Sequence, residues 1–206
     1  MAELRERIKL ARAAAQLNAQ SRSTRHMPAL ALLSDDLRLA APAEAIKALP
    51  KGSLVILRAK DPLRRAQLAK ICVPICRIRK HVLLIADDPA LAGRCGAAGL
   101  HLPQARHDAL SYWRIRRPTW FISYAVHDLA ALHHAARGGA DVALVSPVFA
   151  TQSHQDGNPL GPLRLAAFAR AAQLPVYGLG GINGRNCQRL RGLKLAGIAA
   201  IGALSP

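Results

Sequence analysis

A glycine-rich turn is the first feature of the sequence with the residue types for chemistry. Gly178, Gly180 and Gly181 follow a short apolar run, and Asn183 opens a helix-like segment directly after them. Glycines let backbone N–H groups approach an oxyanion closely, and the start of a helix adds a positive dipole. A tight turn would explain the same glycines, but the end of the seventh of eight strands is a common phosphate site in barrels. The turn therefore predicts a phosphate cradle, which Gly202 would complete from the next strand.

A long polar loop follows the apolar run at 142–145 and extends to residue 161. Loops of this length in small domains often cover a binding site. Thr151, Ser153 and His154 supply hydroxyl and imidazole groups that could bind phosphate oxygens. A surface connection without a binding role is equally compatible with the length of the loop.

The elements that must position these groups alternate along the chain. Eight short, mostly continuous apolar runs predict parallel strands that are buried on both faces: 29–33, 54–57, 82–85, 99–102, 120–124, 142–145, 176–179 and 198–201. Segments rich in alanine, leucine and arginine separate them and predict helices, notably 62–71, 129–137, 162–172 and 184–190. This pattern predicts an α/β TIM-type (β/α)₈ barrel, with an open doubly wound sheet as the alternative. Either fold places ligands at the carboxyl ends of the strands.

The two ends of the sequence depart from a regular barrel. Residues 2–16 predict an additional N-terminal helix, and a basic connector at 21–26 leads into the first strand. We therefore divide the chain into residues 1–27, helix and connector, and residues 28–206, the barrel. The sequence leaves no room for an eighth helix after the last strand, and the N-terminal helix could cover that gap.

Composition narrows the class of protein and its environment. Hydrophobic residues make up 51% of the chain and aromatic residues only 4%, so the core must be aliphatic. No apolar run reaches membrane-spanning length, and the basic N-terminal segment lacks the apolar stretch of a secretion signal. We therefore expect a cytoplasmic protein without a membrane partner. The four cysteines have no metal-binding spacing and are interpreted as buried hydrophobic side chains.

The net charge of +17 is the most unusual compositional property. Such an excess of Lys and Arg attracts anions and can bind nucleic acid. The basic residues are scattered over the predicted helices and loops, however, and no RNA-binding or DNA-reading motif accompanies them. We do not expect specific nucleic-acid binding, and an oligomeric state is left open.

Seven segments together resemble the thiamine-phosphate synthase/TenI superfamily from about residue 28 onwards. They are LALLSD (30–35), VILRAKD (55–61), LLIADD (83–88), GLHLPQ (99–104), VHDL (126–129), GADVALVSPVFAT (139–151) and LGGI (179–182). The resemblance implies a TIM barrel that binds phosphorylated small molecules, namely a thiazole phosphate, thiamine phosphate or pyrophosphate. The synthases of the family join an aminopyrimidine diphosphate to a thiazole phosphate with Mg²⁺, and the TenI branch tautomerises a thiazole carboxylate phosphate.

The resemblance assigns roles to particular residues. Arg58 and Lys60 occupy the basic pair that contacts diphosphate, and Asp87 occupies a magnesium-ligand position. His127 matches the acid/base histidine of the TenI branch. Residues that match the phosphate side of the family site are Thr151, Ser153, Gly180 and Gly181.

Five family positions carry different residues here. The glutamine that reads the aminopyrimidine is Ile56, the asparagine before the metal aspartate is Ala86, and a serine is Ala125. Arg106 stands where a second magnesium carboxylate is expected, and His154 replaces a diphosphate-binding lysine. Isoleucine offers a pyrimidine no hydrogen bond, and an arginine places positive charge where a cation should bind. The resemblance thus implies Mg²⁺ as cofactor, whereas these replacements argue against it and against the synthase reaction.

Three functions remain open at this point. The protein could bind a thiazole phosphate or thiamine phosphate without performing the synthase reaction. It could tautomerise a thiazole, which requires a phosphate anchor and one histidine, His127, to accept and return a proton. It could also be a catalytically silent barrel that binds a phosphorylated ligand or a polyanion through its positive field.

Overall fold

Eight short apolar segments form the parallel strands of a closed barrel. The structure is a computed structural model that describes residues 2–20, 24–151 and 158–205. The strands pair in chain order, and β8 pairs with β1 to close the sheet. Their bounds are β1 Leu30–Leu33, β2 Leu54–Leu57, β3 Val82–Ala86, β4 Gly99–Leu102, β5 Phe121–Val126, β6 Val142–Val145, β7 Val176–Leu179 and β8 Gly197–Ala200. The predicted (β/α)₈ barrel is confirmed, and the open sheet is excluded.

Seven α-helices surround the strands within the described residues. They are α1 Ala2–Ala19, α2 Ala43–Ala48, α3 Pro62–Arg79, α4 Pro89–Cys95, α5 His107–Arg116, α6 Leu129–Arg137 and α7 Gly161–Ala171. Three of them begin at an aspartate that comes shortly after a strand. Asp61, Asp88 and Asp128 each accept a hydrogen bond from a backbone N–H of the first helical turn. These caps satisfy donors that the helix itself leaves unpaired.

Two predicted helices differ from the structure. α3 continues to Arg79, beyond the predicted end near residue 71, although Pro74 lies inside it. Cys72, Val73 and Cys76 pack this second half of the helix into the core. The predicted helix at 184–190 is only a 3₁₀ turn, Cys187–Leu190.

The barrel has an aliphatic core on both sides of its wall. Inside lie Leu33, Leu54, Ile56, Leu84, Val142, Leu144 and Tyr177, while a larger cluster fills the layer between strands and helices. Cys72, Cys76 and Cys187 are free and buried, and burial raises the pKa of the Cys76 thiol to about 12. No helix of the described chain is long and apolar enough to cross a membrane.

The N-terminal helix covers the seam between β8 and β1. Its residues Leu10, Ala13, Ala14 and Leu17 are buried in the core. Asn18 at its end donates side-chain hydrogen bonds to the carbonyls of Thr24 at 2.8 Å and Ala196 at 2.7 Å, which join the helix to the segment before β8. Up to Ser205, only a 3₁₀ turn at Gly202–Leu204 follows β8. α1 therefore takes the place that the eighth helix has in a regular barrel.

Replacing Asn18 with alanine should destabilise the whole barrel. The substitution leaves the carbonyls of Thr24 and Ala196 without their buried donor, which we expect to lower the free energy of unfolding by about 2–4 kcal/mol. Gln16→Ala, at an exposed position of the same helix, is the matched control and should change it by less than about 0.5 kcal/mol. Urea unfolding followed by circular dichroism measures both, and equal effects would contradict the assigned role of Asn18.

Candidate active site

The glycine turn after β7 packs tightly against the loop that follows β6. A side chain at Gly181 would place its Cβ 2.4 Å from the Ala150 carbonyl oxygen, and Gly181 has φ +66°, which favours glycine. The Gly180 carbonyl accepts a hydrogen bond from the Phe149 N–H at 3.0 Å. The Gly181 carbonyl accepts one from Asn186 Nδ2 at 2.7 Å. Both carbonyls are therefore held by donors of the protein.

The same contacts fix the direction of the neighbouring N–H groups. In a trans peptide the N–H points opposite to the carbonyl of the preceding residue, so the Gly181 N–H points away from Phe149. Within the described residues, the N–H groups of Gly180, Gly181 and Gly202 donate to no acceptor of the protein. Gly202 is exposed, and nothing lies within 4 Å of where its Cβ would be. This arrangement can offer backbone donors to an oxyanion, as the sequence predicts.

The β6 loop reaches the glycine turn from one side. Its first part is held by hydrogen bonds from Val148 N to Leu179 O and from Leu160 N to Pro147 O. Thr151 is half-buried and directly follows Ala150, which contacts Gly181. The predicted phosphate ligands Ser153 and His154 lie outside the described residues.

Two basic side chains follow β2 on the opposite part of the rim. The hydroxyl of Ser34 accepts from Arg58 N at 2.7 Å and donates to Arg58 O at 2.8 Å, which fixes this backbone next to β1. Lys60 N donates to Asp36 Oδ2 at 2.9 Å. The side chains of Arg58 and Lys60 are exposed. They are placed to attract an anion at the mouth.

The predicted magnesium ligand Asp87 is bound by an arginine. Arg106 Nε lies 3.0 Å from Oδ1 and 3.2 Å from Oδ2 of Asp87. The neighbouring carboxylate of Asp88 caps α4 and forms an ion pair with Arg65 at 3.2 Å. Among the described residues there is no group of three or more His, Cys, Asp or Glu side chains that could hold a metal. These residues do not fit Mg²⁺, because the guanidinium fills the side of Asp87 that a cation would need.

His127 is held in a defined orientation after β5. Its Nδ1 lies 2.9 Å from the Ser146 carbonyl oxygen, and its backbone N–H donates to Gln104 Oε1 at 2.8 Å. A carbonyl oxygen can only accept, so Nδ1 carries the proton and Nε2 has the lone pair when the ring is neutral. Gln104 also donates to Asp128 Oδ2 at 2.7 Å, which connects the β4 and β5 loops.

Two participants in this arrangement were missed at the sequence level. Gln104 and Ser146 were not singled out as partners of His127, although both follow predicted strands that flank it. A second histidine near the mouth is His101 of β4. Its Nδ1 lies 2.8 Å from Ser123 Oγ, and burial, assisted by the charge of Arg58, lowers the pKa of His101 to about 4. It is therefore a neutral polar group at the mouth.

The strand order decides which of these groups come together. Thr151, Gly180 and Gly202 follow the neighbouring strands β6, β7 and β8, whereas Arg58 and Asp87 follow β2 and β3. His127, after β5, stands between the two groups. The mouth thus has a side lined by backbone amides and a side lined by arginine and lysine.

The fold and this mouth define a (β/α)₈ barrel whose candidate site lies at the carboxyl ends of its strands. The family model for thiamine monophosphate synthase (TMP-TENI) matches residues 31–204, and the chain belongs to this family.

Individual relatives agree with this assignment. A putative thiamine-phosphate synthase 2 of Aquifex aeolicus is 34% identical over 139 residues, which cover 66% of this chain and 74% of the relative. A thiamine-phosphate synthase of Herpetosiphon aurantiacus is 36% identical over 152 residues, 72% of each chain. The solved thiamine phosphate pyrophosphorylase of Pyrococcus furiosus has the same fold, with a TM-score of 0.73 at 22% identity, over 91% of this chain and 87% of that one.

Removing the charge of Arg58 should raise the pKa of His101. In Arg58→Gln we expect a pKa above about 4 but still below the usual histidine value of 6.5, because the burial that lowers it most remains. Lys60→Gln, nearby on the same loop, should leave it unchanged. NMR titration of the labelled His101 ring measures the pKa.

The same shift predicts how stability depends on pH. The pKa of His101 is lower in the folded chain than in the unfolded chain, so the unfolded chain binds the proton first as the pH falls. The free energy of unfolding therefore decreases as the pH falls from 6.5 to about 4. An unchanged His101 pKa in Arg58→Gln would show that the guanidinium does not act on the ring.

Proposed function

We propose that this barrel binds a thiazole phosphate or thiamine phosphate at its mouth and does not carry out the Mg²⁺-dependent synthase reaction. The observation that carries this proposal is the contact of Arg106 with both carboxylate oxygens of Asp87. Family membership supports a phosphorylated small molecule as the ligand. The free N–H groups of Gly180, Gly181 and Gly202 in the described chain provide the anchor for its phosphate.

The side chains at two positions cannot bind the aminopyrimidine substrate of the synthase reaction as the resemblance implies. Ile56 is buried inside the barrel, and Ala86 precedes Asp87 at the end of β3. Neither can form the hydrogen bonds of the glutamine and asparagine that the resemblance implies. Discrimination by such polar contacts can reach several orders of magnitude in rate. A Mg²⁺-dependent synthase rate within about tenfold of an ordinary family member would contradict the proposal.

Binding of a thiazole phosphate should depend on the glycine turn and not on Mg²⁺. We expect Gly202→Asp to weaken binding about tenfold or more, because it adds negative charge next to the phosphate. Gly202→Asn has the same shape without the charge, and is therefore the matched control. Isothermal titration calorimetry should give the same affinity in EDTA and in Mg²⁺, and much of it should persist at physiological salt.

Two outcomes of this titration would point elsewhere. If the aspartate and asparagine variants weaken thiazole-phosphate binding equally, the loss of affinity is due to side-chain shape, and the proposed anion site at Gly202 is contradicted. Binding that is lost at physiological salt, and that RNA shows as well, would favour the polyanion-binding barrel instead.

Arg106→Asp tests directly whether Arg106 excludes the metal. If it does, the two carboxylates of this variant should make the affinity for thiazole phosphate Mg²⁺-dependent.

Proton transfer on a thiazole is the second candidate function, and the orientation of His127 supports it. The Ser146 carbonyl holds the proton on Nδ1, so Nε2 of the neutral ring can accept a proton. Gln104 fixes the backbone of His127 and, through Asp128, the start of α6. An acid/base group requires such a fixed tautomer and direction.

Replacing His127 with asparagine separates binding from chemistry. We expect affinity for thiazole phosphate to change by only a few-fold, while solvent deuterium exchange into the thiazole falls about 10²-fold or more. Mass spectrometry of the recovered ligand measures the exchange. Unchanged exchange would remove His127 from the mechanism, and absence of exchange in the native protein would favour a barrel that only binds.

A further inference from the structure

The fold separates the charges that are scattered along the sequence. The outer helices run antiparallel to the strands, so their last turns and the connections into the next strands lie at the end opposite the mouth. We call this end the basal face. It carries Lys47, Lys51, Arg77, Arg79, Lys80, Arg94, Arg114, Arg116, Arg117, Arg137, Arg170 and Lys194. Among the described residues, two carboxylates offset these charges: Asp141 pairs with Arg114, and Glu44 of the short helix α2 pairs with Lys47 at 2.7 Å.

The carboxylates lie mainly at the other end. Asp35, Asp61, Asp87 and Asp128 all follow strands and belong to the mouth. Cations at helix C-termini are favoured by the helix dipole, which accounts for part of this arrangement. The dipole does not account for the additional exposed charges outside the helices, such as Lys51 and Arg117. The basal face therefore concentrates positive potential.

Arginines connect the helix ends into one continuous surface. Arg79 donates to the Leu49 carbonyl after α2 at 2.6 Å, and Arg77 donates to the Cys95 carbonyl of α4 at 3.2 Å. Arg114 of α5 donates to the Gly139 carbonyl after α6 at 2.8 Å. These bonds hold the ends of neighbouring helices together and leave other basic side chains directed to solvent.

Apolar and aromatic side chains lie among these charges. Ile78 and Ile115, each the penultimate residue of its helix, are 79% and 80% exposed. Both tryptophans of the chain, Trp113 and Trp120, are also here, and the half-exposed Tyr112 adjoins Trp113. Exposed isoleucine beside Trp, Tyr and Arg is typical of a surface that contacts the membrane interface.

The contacts of the aromatic rings disfavour the stacking of nucleic-acid bases on them. Trp113 and Trp120 stack on each other with centroids 5.9 Å apart. Arg117 lies 5.3 Å from the Trp120 centroid, and Arg116 lies 5.1 Å from that of Tyr112. Bases stack on open aromatic faces, whereas these faces are partly covered by arginine. Isoleucine side chains, by contrast, gain most from entering hydrocarbon.

The lack of a membrane-spanning segment led us to expect no membrane partner, but a peripheral contact requires no such segment. We propose that the basal face is a peripheral docking surface for an anionic phospholipid bilayer. The basic side chains attract lipid phosphates, while Ile78 and Ile115 enter the boundary between headgroups and acyl chains. Docking in this orientation leaves the mouth open to solvent, so the candidate active site stays accessible. The proposal does not depend on the proposed function, because the two sites occupy opposite ends of the barrel.

The two tryptophans report directly on this contact. Vesicles of phosphatidylcholine and phosphatidylglycerol in equal amounts should shift the intrinsic tryptophan fluorescence of the native protein to shorter wavelength at physiological salt. Brominated acyl chains should quench it, because both indoles lie at this end of the barrel and are only half-buried where they pack against the core. Vesicles of phosphatidylcholine alone should cause neither change. Absence of a shift with the anionic vesicles would overturn the proposal.

Two double variants test the apolar and the charged components. Ile78→Ser with Ile115→Ser, and Lys80→Glu with Arg116→Glu, should each weaken co-sedimentation with anionic vesicles about tenfold or more. Leu63→Ser with Leu163→Ser removes equally exposed side chains at the mouth end of the helices, and Arg5→Glu with Arg164→Glu makes the same change of net charge there. These control pairs should bind nearly as the native protein does. Thiazole-phosphate affinity and thermal unfolding verify that all variants fold.

A competing polyanion would give a different pattern. A single-stranded RNA of mixed sequence that binds more tightly than the vesicles, with no effect of the isoleucine pair on either ligand, would assign the basal face to nucleic acid and overturn the bilayer proposal. Equal losses in the docking variants and their mouth-end controls would also overturn it, because they would reflect net charge alone.

Discussion

Pairing of β1 with β8 is the constraint on which the rest of this molecule depends. The register Leu30 to Ile198 closes a sheet of four- to six-residue strands and leaves no edge. Closure brings the carboxyl end of every strand to one rim and the basic helix ends to the other. The glycine turn after β7, the arginine after β2 and the histidine after β5 lie far apart in sequence and share one mouth for this reason.

Arg106 stands where the family resemblance implies a second metal carboxylate, and its pairing with Asp87 changes the electrostatics of one part of that mouth without changing the fold. In the relatives implied by the resemblance, two carboxylates would need a divalent cation to hold them together. Here the Arg106 guanidinium balances the Asp87 carboxylate, so the local charge is neutral without any ion. The barrel wall remains closed, although two of the differing residues, Ile56 and Ala125, lie within strands β2 and β5.

The sequence was sufficient for the barrel because strands buried on both faces leave continuous apolar runs such as Leu54–Leu57. The glycines after β7 also indicated a turn, but a tight turn alone explains such glycines, so a phosphate cradle there stays a prediction. The end of α3 was not, because Pro74 normally signals a helix end and only the packing of Cys72, Val73 and Cys76 overrides it. The His101–Ser123 pair depends on the register of β4 with β5, where these residues are direct neighbours. The basal face required the closed topology, because basic residues that lie apart in sequence meet only after the helices are arranged around the barrel.

The use of α1 as the cover of the β8–β1 seam has a consequence for how the chain folds during synthesis. The Asn18 side chain bonds to the Ala196 carbonyl across 178 positions of sequence, so this contact closes a very long loop. The ribosome releases α1 before β8. Until β8 emerges, the apolar side of α1 at Leu10, Ala13 and Leu17 has no complete surface to pack on. Sealing of the seam is therefore a late event, and the nascent helix must remain soluble or be protected while the other strands assemble.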